Sequence, residues 1–385
     1  HPWEQRKLGE VANFLNGRAY KQQELLESGK YRVLRVGNFN TNDKWYYSDL
    51  ELEENKYANS GDLLYLWATN FGPEIWDEEK VIYHYHIWKL DLYSSEVDKQ
   101  YMYTWLITDK EKIKQTTNGT TMVHVTKGNM EQREFQLPIS IKEQKKIGSF
   151  FKQLDNTIAL HQRKLTLLKQ LKQTYLQALF PQSELNIPTL RFARFSDSWE
   201  HRKVSSLAKE TFGGGTPKTG VKKYWKGSFP WIQSSDLTTN QLHNVQPTKF
   251  ITEEAIKQSA THNVPGNSIA IVTRVGVGKL ALMRSSYSTS QDFLSLSNLN
   301  VDAVFGVYCL YKMLQREVNN IQGTSIKGIT KADLLGKCVS VPTKVEEQVK
   351  IGAFFKKIDD TIDFHESKLK HILELKKAFL EKMFL

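Results

Sequence analysis

The sequence predicts an α+β chain written twice: two globular bodies separated by two long antiparallel α-helices that pair as a coiled coil, with a pseudo-two-fold internal repeat. Three observations predict it. Pro138 to Phe180 recurs without gaps as Pro342 to Phe384, a constant shift of 204 (342 − 138). Both copies carry the apolar spacing of a long helix, and the stretch ahead of each alternates as strands do. The resulting boundaries are a first body over 1–140, a long helix over 141–181, a linker over 182–198, a second body over 199–341 and a second long helix over 342–385.

The two halves open alike, Trp3-Glu4-Gln5-Arg6-Lys7 matching Trp199-Glu200-His201-Arg202-Lys203 at a shift of 196 (199 − 3). Between this anchor and the repeated helix the halves diverge. In the first body, Tyr31–Val36, Asp62–Trp67 and Val81–Ile87 read as aromatic-rich strands with short helical stretches between them. In the second, Gly266-Asn267-Ser268-Ile269 occupies the place of Gly61-Asp62-Leu63-Leu64. Downstream, Gly119-Thr120 and Thr126-Lys127 already follow the shift of 204, onto Gly323-Thr324 and Thr330-Lys331.

In the first long helix Ile147, Phe151, Leu154, Ile158, His161, Leu165 and Leu168 alternate at spacings of four and three, a coiled-coil seam. The second copy gives Ile351, Phe355, Ile358, Ile362, His365, Leu369 and Ile372. A proline and a capping-box pattern precede each, Ser140 with Glu143 and Thr343 with Glu346, one residue out of step; Pro181 closes the first helix. A rod of roughly 40 residues, about 60 Å at 1.5 Å per residue, is not stable alone in water, so each needs the other. His161 and His365 hold equivalent seam positions. Two facing histidines could bind a metal or sense pH, but no further Cys, His or carboxylate stands at ligand spacing, and a satisfied core histidine is the expected reading.

Over the 385 residues, 53 Lys and Arg face 42 Asp and Glu, a formal charge of +11 that favours a polyanionic partner. The excess is uneven: Lys142 to Phe180 holds eight basic residues against two acids, Pro342 to Leu385 nine against eight. Only Cys309 and Cys338 are present, which excludes a cysteine metal framework and points to a reduced compartment. No apolar run approaches the roughly 18 residues that span a bilayer, and no secretory leader is visible, so a soluble, cytoplasmic protein is expected. A start at His1 instead of Met implies an upstream segment.

Polar, basic and aromatic residues collect where strands give way to loops. In the second body Phe212-Gly213-Gly214-Gly215-Thr216-Pro217-Lys218 would let backbone amides approach phosphate, with Thr216 and Lys218 as side-chain donors and Gly214 giving room. Trp231, Gln233, Ser234, Ser235, Arg274 and Gln291 follow; Arg and Gln are the residues that reach guanine and adenine edges bidentately. The comparable first-body positions are Arg18, Tyr20, Lys21, Arg35 with Asn38, and Asn70. Each taken singly reads as a solvated loop residue; the set suggests DNA contact.

Other motifs fail on inspection. Gly276-Val277-Gly278-Lys279 lacks the earlier glycine and the hydroxyl residue of a P-loop, with Thr273 and Leu280 in those places. Pro73-Glu74 with Glu78-Glu79-Lys80 is too compressed for a nuclease carboxylate set and reads as a charged turn. His84 and His86 alternate along the expected strand without a third ligand. No Gly-rich loop opens a βαβ unit suited to a dinucleotide or S-adenosylmethionine. No catalytic, cofactor or metal residues are therefore expected on this chain.

Two divergent bodies, each opened by Trp-Glu-x-Arg-Lys and closed by Pro-x-x-x-x-Glu-Gln-x-x-Ile-Gly-x-Phe-Phe and a long helix, resemble the specificity subunits of type I restriction-modification systems across nearly the whole chain; Gly214-Gly215-Thr216-Pro217 is similar to that family's segments. The resemblance implies that each body is a target-recognition domain reading one half of a bipartite, asymmetric DNA site, without catalysis. It implies that the helix pair sets the spacer and docks two adenine-methyltransferase (modification) subunits. It further implies S-adenosylmethionine on those subunits, and ATP with Mg on restriction subunits that complete the complex. One departure stands out: the lead-in Pro188-Thr189-Leu190-Arg191-Phe192-Ala193-Arg194-Phe195 before Trp199 has no counterpart before Trp3, which fits a trimmed or processed start. The alternative reading is a basic coiled-coil adaptor that organises protein partners and touches DNA nonspecifically; an enzymatic reading is the weakest.

Overall fold

A computed structural model describes residues 3–39, 42–68, 71–116, 125–182, 186–320 and 328–384. The chain forms two compact units, His1–Gln162 with Lys368–Leu385, and Arg163–Ser367. These differ from the sequence-based boundaries, because each long helix is shared between the units. An amphipathic helix needs its seam covered along its length, and each body supplies cover to the helical segments beside it. The helices therefore belong to the bodies' cores and are not a separate layer.

In the first unit a four-stranded antiparallel sheet has the order Ala12–Asn16, Ile87–Leu92, Leu63–Leu66, Gly72–Ile75. A second sheet runs Tyr46–Ser48, Tyr31–Leu34, Val81–Tyr83, Tyr57–Ala58, with Tyr31–Leu34 parallel to Val81–Tyr83. Trp3–Lys7 pairs with Glu134–Pro138 in a separate antiparallel ribbon. An 18-residue helix, Lys99–Thr116, packs with the first long helix, Ile141–Ala178, and the end of the second, Val345–Phe384. Phe14, Tyr65, Trp88, Tyr101, Phe135, Ile147, Phe151 and Phe384 share this core. Phe150 meets Phe379, and Asp155 pairs with Lys376, so the two long helices run antiparallel here.

The second unit repeats the plan. Its four-stranded sheet has the order Ala208–Gly213, Phe293–Leu299, Ser268–Val272, Leu280–Met283. Its three-stranded sheet runs Lys249–Ile251, Phe229–Ile232, Ser288–Thr289, the last two parallel. Glu200–Lys203 pairs with Cys338–Val341, and an 18-residue helix covers Ala303–Asn320. The long helices are again antiparallel, Lys169 bonding Glu366 at 2.7 Å and Tyr175 meeting Phe354 at 4.9 Å. Lys172 and Asp359 form a buried pair at 2.6 Å; Tyr308 donates to Asp359 at 2.7 Å and lies 3.1 Å from His243 Nε2.

The repeated motif now has a physical reason at each position. Gln144 is buried; its amide donates to Pro138 O at 2.8 Å and Glu96 O at 2.9 Å, and its oxygen accepts from Asp98 N at 2.8 Å. Gln348 donates to Pro342 O and accepts from Asp302 N, both at 2.9 Å. A Cβ on Gly148 would stand 2.8 Å from Tyr101 N, and one on Gly352 2.7 Å from Phe305 N, so these glycines let the long helix touch the start of the body helix. Ile147, Phe151, Ile351 and Phe355 fill the core.

Several expectations need correction. The second long helix begins at Val345, and the amides of Glu347 and Gln348 donate to Lys344 O as those of Glu143 and Gln144 donate to Ser140 O. The copies are thus in step, and no Thr343–Glu346 box forms. Glu143 and Glu347 are used elsewhere: Glu143 accepts from Trp3 Nε1 at 3.3 Å, Glu347 from Arg191 at 2.7 and 2.8 Å. The strand expected over Val81–Ile87 breaks at His84–His86 into a tight turn, so these histidines do not alternate along a strand. Pro73 and Glu74 lie in a strand, not a turn. The body helices are far longer than the short stretches expected. Gly119-Thr120 and Gly323-Thr324 lie outside the described residues, whereas Thr126 and Thr330 cap equivalent short helices. Among the described residues no helix is long and apolar enough to cross a membrane.

Candidate nucleic-acid interface

Both units end their parallel strand pair in the same backbone construction. After Tyr31–Leu34 a single 3-10 turn follows, in which Arg35 N donates to Asn38 Oδ1 at 3.0 Å. After Phe229–Ile232 the corresponding bond runs from Gln233 N to Asp236 Oδ2 at 2.9 Å. The partner strand then turns tightly: His84 N donates to Leu34 O and Ser290 N to Ile232 O, each at 2.9 Å. Arg18 N donates to Tyr83 O at 3.0 Å, as Gly215 N does to Thr289 O at 2.9 Å. Trp67 N reaches His86 O at 3.1 Å and Thr273 N reaches Asp292 O at 2.7 Å. These bonds equate Arg18 with Gly215, Arg35 with Gln233, Asn38 with Asp236, and Tyr85 with Gln291.

Glycine is required at one point in each. A Cβ on Gly17 would lie 2.3 Å from His84 O, and one on Gly214 1.8 Å from Ser290 O. Gly214 therefore makes room for the protein's own chain.

On this shared frame the side chains differ. In the first unit Arg18 pairs with Glu24 at 2.7 Å and lies 5.5 Å from the Tyr20 ring centre. Tyr20 is half-buried, its phenol pushed above the usual range by burial, and its hydroxyl reaches Tyr83 O at 3.5 Å. Lys21 is exposed. Arg35 stacks on Tyr46, 4.2 Å from the ring centre, and Asn38 ties the turn to Lys44 O at 3.2 Å. His84 is pushed down to about 4 by burial, with His86 and Arg35 adding to the effect, so its ring is neutral at pH 7. Tyr85 is exposed at the turn's tip, beside Trp67, whose Nε1 donates to Tyr85 O at 2.8 Å. Asn70 lies outside the described residues.

In the second unit Thr216 Oγ1 donates to Gln291 Oε1 at 2.7 Å, joining the Gly-rich loop to the turn. Lys249 Nζ donates to Gln233 Oε1 at 3.0 Å, and Lys279 Nζ to Ser234 O at 3.1 Å. Arg274 is exposed, 3.9 Å from Asp292, and Lys218 and Ser235 are exposed as well. Trp231 is 4% exposed and its Nε1 donates to Gly215 O at 3.0 Å, so it supports the loop from beneath. Sequence reasoning missed Trp67, Tyr85, Lys249 and Lys279. Tyr85 and Gln291 share a place that no linear spacing reveals, and Lys249 opens a strand of the three-stranded sheet while Lys279 lies just before Leu280–Met283 of the four-stranded one.

The seam residues are placed as follows. Phe151, Ile158, Leu165, Phe355, Ile358, Ile362 and His365 are buried, while Leu154, His161 and Leu369 are half-buried. Among the described residues no group of three or more His, Cys, Asp or Glu is arranged to hold a metal ion.

The family described as "Type I restriction modification DNA specificity domain" matches this chain twice, over residues 1–170 and 196–374. Specificity subunits of type I restriction enzymes are similar to it. MjaIX of Methanocaldococcus jannaschii is 30% identical over 182 residues, 46% of this chain and 41% of the relative. EcoR124I/EcoR124II of Escherichia coli is 26% identical over 217 residues, 52% of each, so the aligned part spans about half the length of these two relatives. MjaVIII of Methanocaldococcus jannaschii is 22% identical over 98% of this chain and 91% of its own. Among solved structures, the S subunit of a type I restriction-modification system from M. genitalium shares the fold, with a TM-score of 0.71 at 14% identity, over 100% of this chain and 96% of that one.

Proposed function

The chain belongs to the type I restriction modification DNA specificity family, and on that premise we propose that it is a non-catalytic DNA-reading subunit in which each unit recognises one half of a bipartite, asymmetric site. The observation that carries this reading is the shared turn construction: one backbone frame, locked by equivalent hydrogen bonds, presents Arg18, Arg35 and Tyr85 in one unit and Thr216, Gln233 and Gln291 in the other. Base edges are told apart by side-chain donors and acceptors, so two readers of different sequences need the same frame and different tips. The long helices, which carry the repeated sequence, set the spacer and dock two modification subunits; similar surfaces suit identical partners. S-adenosylmethionine belongs to those subunits, and ATP with Mg to restriction subunits, none of them to this chain. The positive charge supplies the sequence-independent part of DNA affinity.

The test is selection from randomised duplex DNA by the full chain assembled with its modification subunit. The expected product is a gapped motif with two unlike halves. Uniform retention of all sequences, with affinity that falls steeply with salt, would support the adaptor reading instead.

A further inference from the structure

We propose that Arg35 is the residue by which the first unit discriminates a guanine, the outer edge of its guanidinium donating to O6 and N7. The inference rests on the DNA-reading function proposed above and adds the residue and the base. Five arginines lie in this unit, and four are committed to carboxylates: Arg6 to Glu4 and Glu96, Arg18 to Glu24, Arg32 to Glu78 and Arg133 to Asp109. Among the described residues Arg35 meets none.

Its position is nevertheless held. The guanidinium stacks on Tyr46 at 4.2 Å, one Nη donates to Lys44 O at 3.5 Å, and the backbone is pinned by Asn38. Asn38 in turn donates to Asn42 O at 3.3 Å and Lys44 O at 3.2 Å. The Arg35 Nε is buried with no partner among the described residues, so the Nη end is the part of the guanidinium left to meet a ligand. A guanidinium that is oriented by an aromatic face, lacks a counter-ion and keeps donors unused is prepared for a planar ligand with two adjacent acceptors. Of the base pairs, only guanine offers two acceptors side by side in the major groove. His84, the neighbouring titratable ring, is neutral at pH 7 and adds no second positive charge beside the guanidinium.

The second unit supports the assignment by contrast. Gln233, at the place of Arg35, has its carboxamide committed to Lys249 at 3.0 Å and Thr248 at 3.4 Å. Lys249 is in the strand position of Tyr46: Val33 pairs with Tyr46 as Trp231 pairs with Lys249. The first unit thus brings Arg35 and Lys44 to this point and the second Lys249, and only Arg35 presents a fork.

The experiment compares wild type, Arg35→Ala and Arg35→Lys in the same randomised-DNA selection with the modification subunit present. Wild type is expected to return a guanine in the half-site of the first unit. Arg35→Ala should lower the preference for that guanine roughly ten- to a hundredfold. Arg35→Lys should restore overall affinity but not the full preference, since an ammonium lacks the fork. In both variants the other half-site should be unchanged, which shows that the protein is folded. If Arg35→Ala weakened every sequence alike, or left all positions unchanged within an intact gapped motif, Arg35 would be a phosphate contact or a bystander; the assignment would fail while the DNA-reading function stood. If wild type returned no gapped motif, both would fail together.

Discussion

Trp3 and Trp199 open the two units at equivalent places, yet Trp199 is 2% exposed and Trp3 is 38% exposed. Trp199 packs against Phe180 and Phe305, and Trp3 against Tyr101 and Phe384. In the second unit the segment before the tryptophan lies over the helix start: Arg191 makes a two-bonded pair with buried Glu347, Phe192 meets Phe354 at 6.0 Å, and Phe195 lies 5.0 Å from the Lys350 ammonium. In the first unit Glu143, Lys146 and Phe150 repeat this surface, and Glu143 takes the indole N–H of Trp3. One surface, duplicated, holds a buried ion pair at Glu347 in one copy and a polar contact near the surface at Glu143 in the other. The same residue type therefore carries very different energetic weight in the two units.

The largest expected effect is at that pair. Arg191→Met leaves the Glu347 carboxylate buried without its partner and should cost about 3 kcal/mol or more in urea unfolding. Glu143→Ala, at the position that corresponds to Glu347, removes only the acceptor of the Trp3 indole N–H near the surface and should cost less than about 1 kcal/mol. Equal costs would mean that the two covers are energetically alike.

Where the units are alike, effects should match. Gly148→Ala and Gly352→Ala each push a Cβ against a backbone amide that cannot yield, and each should destabilise by about 1–3 kcal/mol, measured by the same unfolding. A loss confined to one would show that the helix contacts are not equivalent.

The smallest effect is on pH. His84 in one unit and His243 in the other are held at about 4, below the ordinary value of 6.5, by burial first. Between these values the unfolded chain binds more protons than the folded one, so stability is intact above about pH 6.5 and falls as pH drops toward 4. Thermal unfolding over that interval should show the fall, and His84→Asn should remove the first unit's share while leaving that of His243.

Much of the fold was legible. The constant shift of 204 exposed the repeat because the long helices and their caps tolerate no insertions: a gap of one residue would rotate the seam by about 100°. Tertiary roles within the motif were not legible, since the donor partners of Glu143 and Glu347 lie 140 and 156 residues away. The loop residues named from composition lie at or near the ends of the parallel strands, where Trp231 supports the loop and Arg18 is paired with Glu24. Composition does not register whether a donor is already occupied.

The sequence by itself determined that the chain is a duplication, where its long helices run, and that its charge suits a polyanion, because helix periodicity and charge are local properties of the chain. Only the tertiary structure decided which loop residues correspond. The shift between the units moves from 196 at Trp3 and Trp199 to 198 at Arg35 and Gln233, then to 206 at Tyr85 and Gln291, and returns to 204 at Lys99 and Ala303. Loops lengthen at little entropic cost, so linear spacing between strands drifts, whereas hydrogen-bond register admits no such drift and identifies the same place in both units.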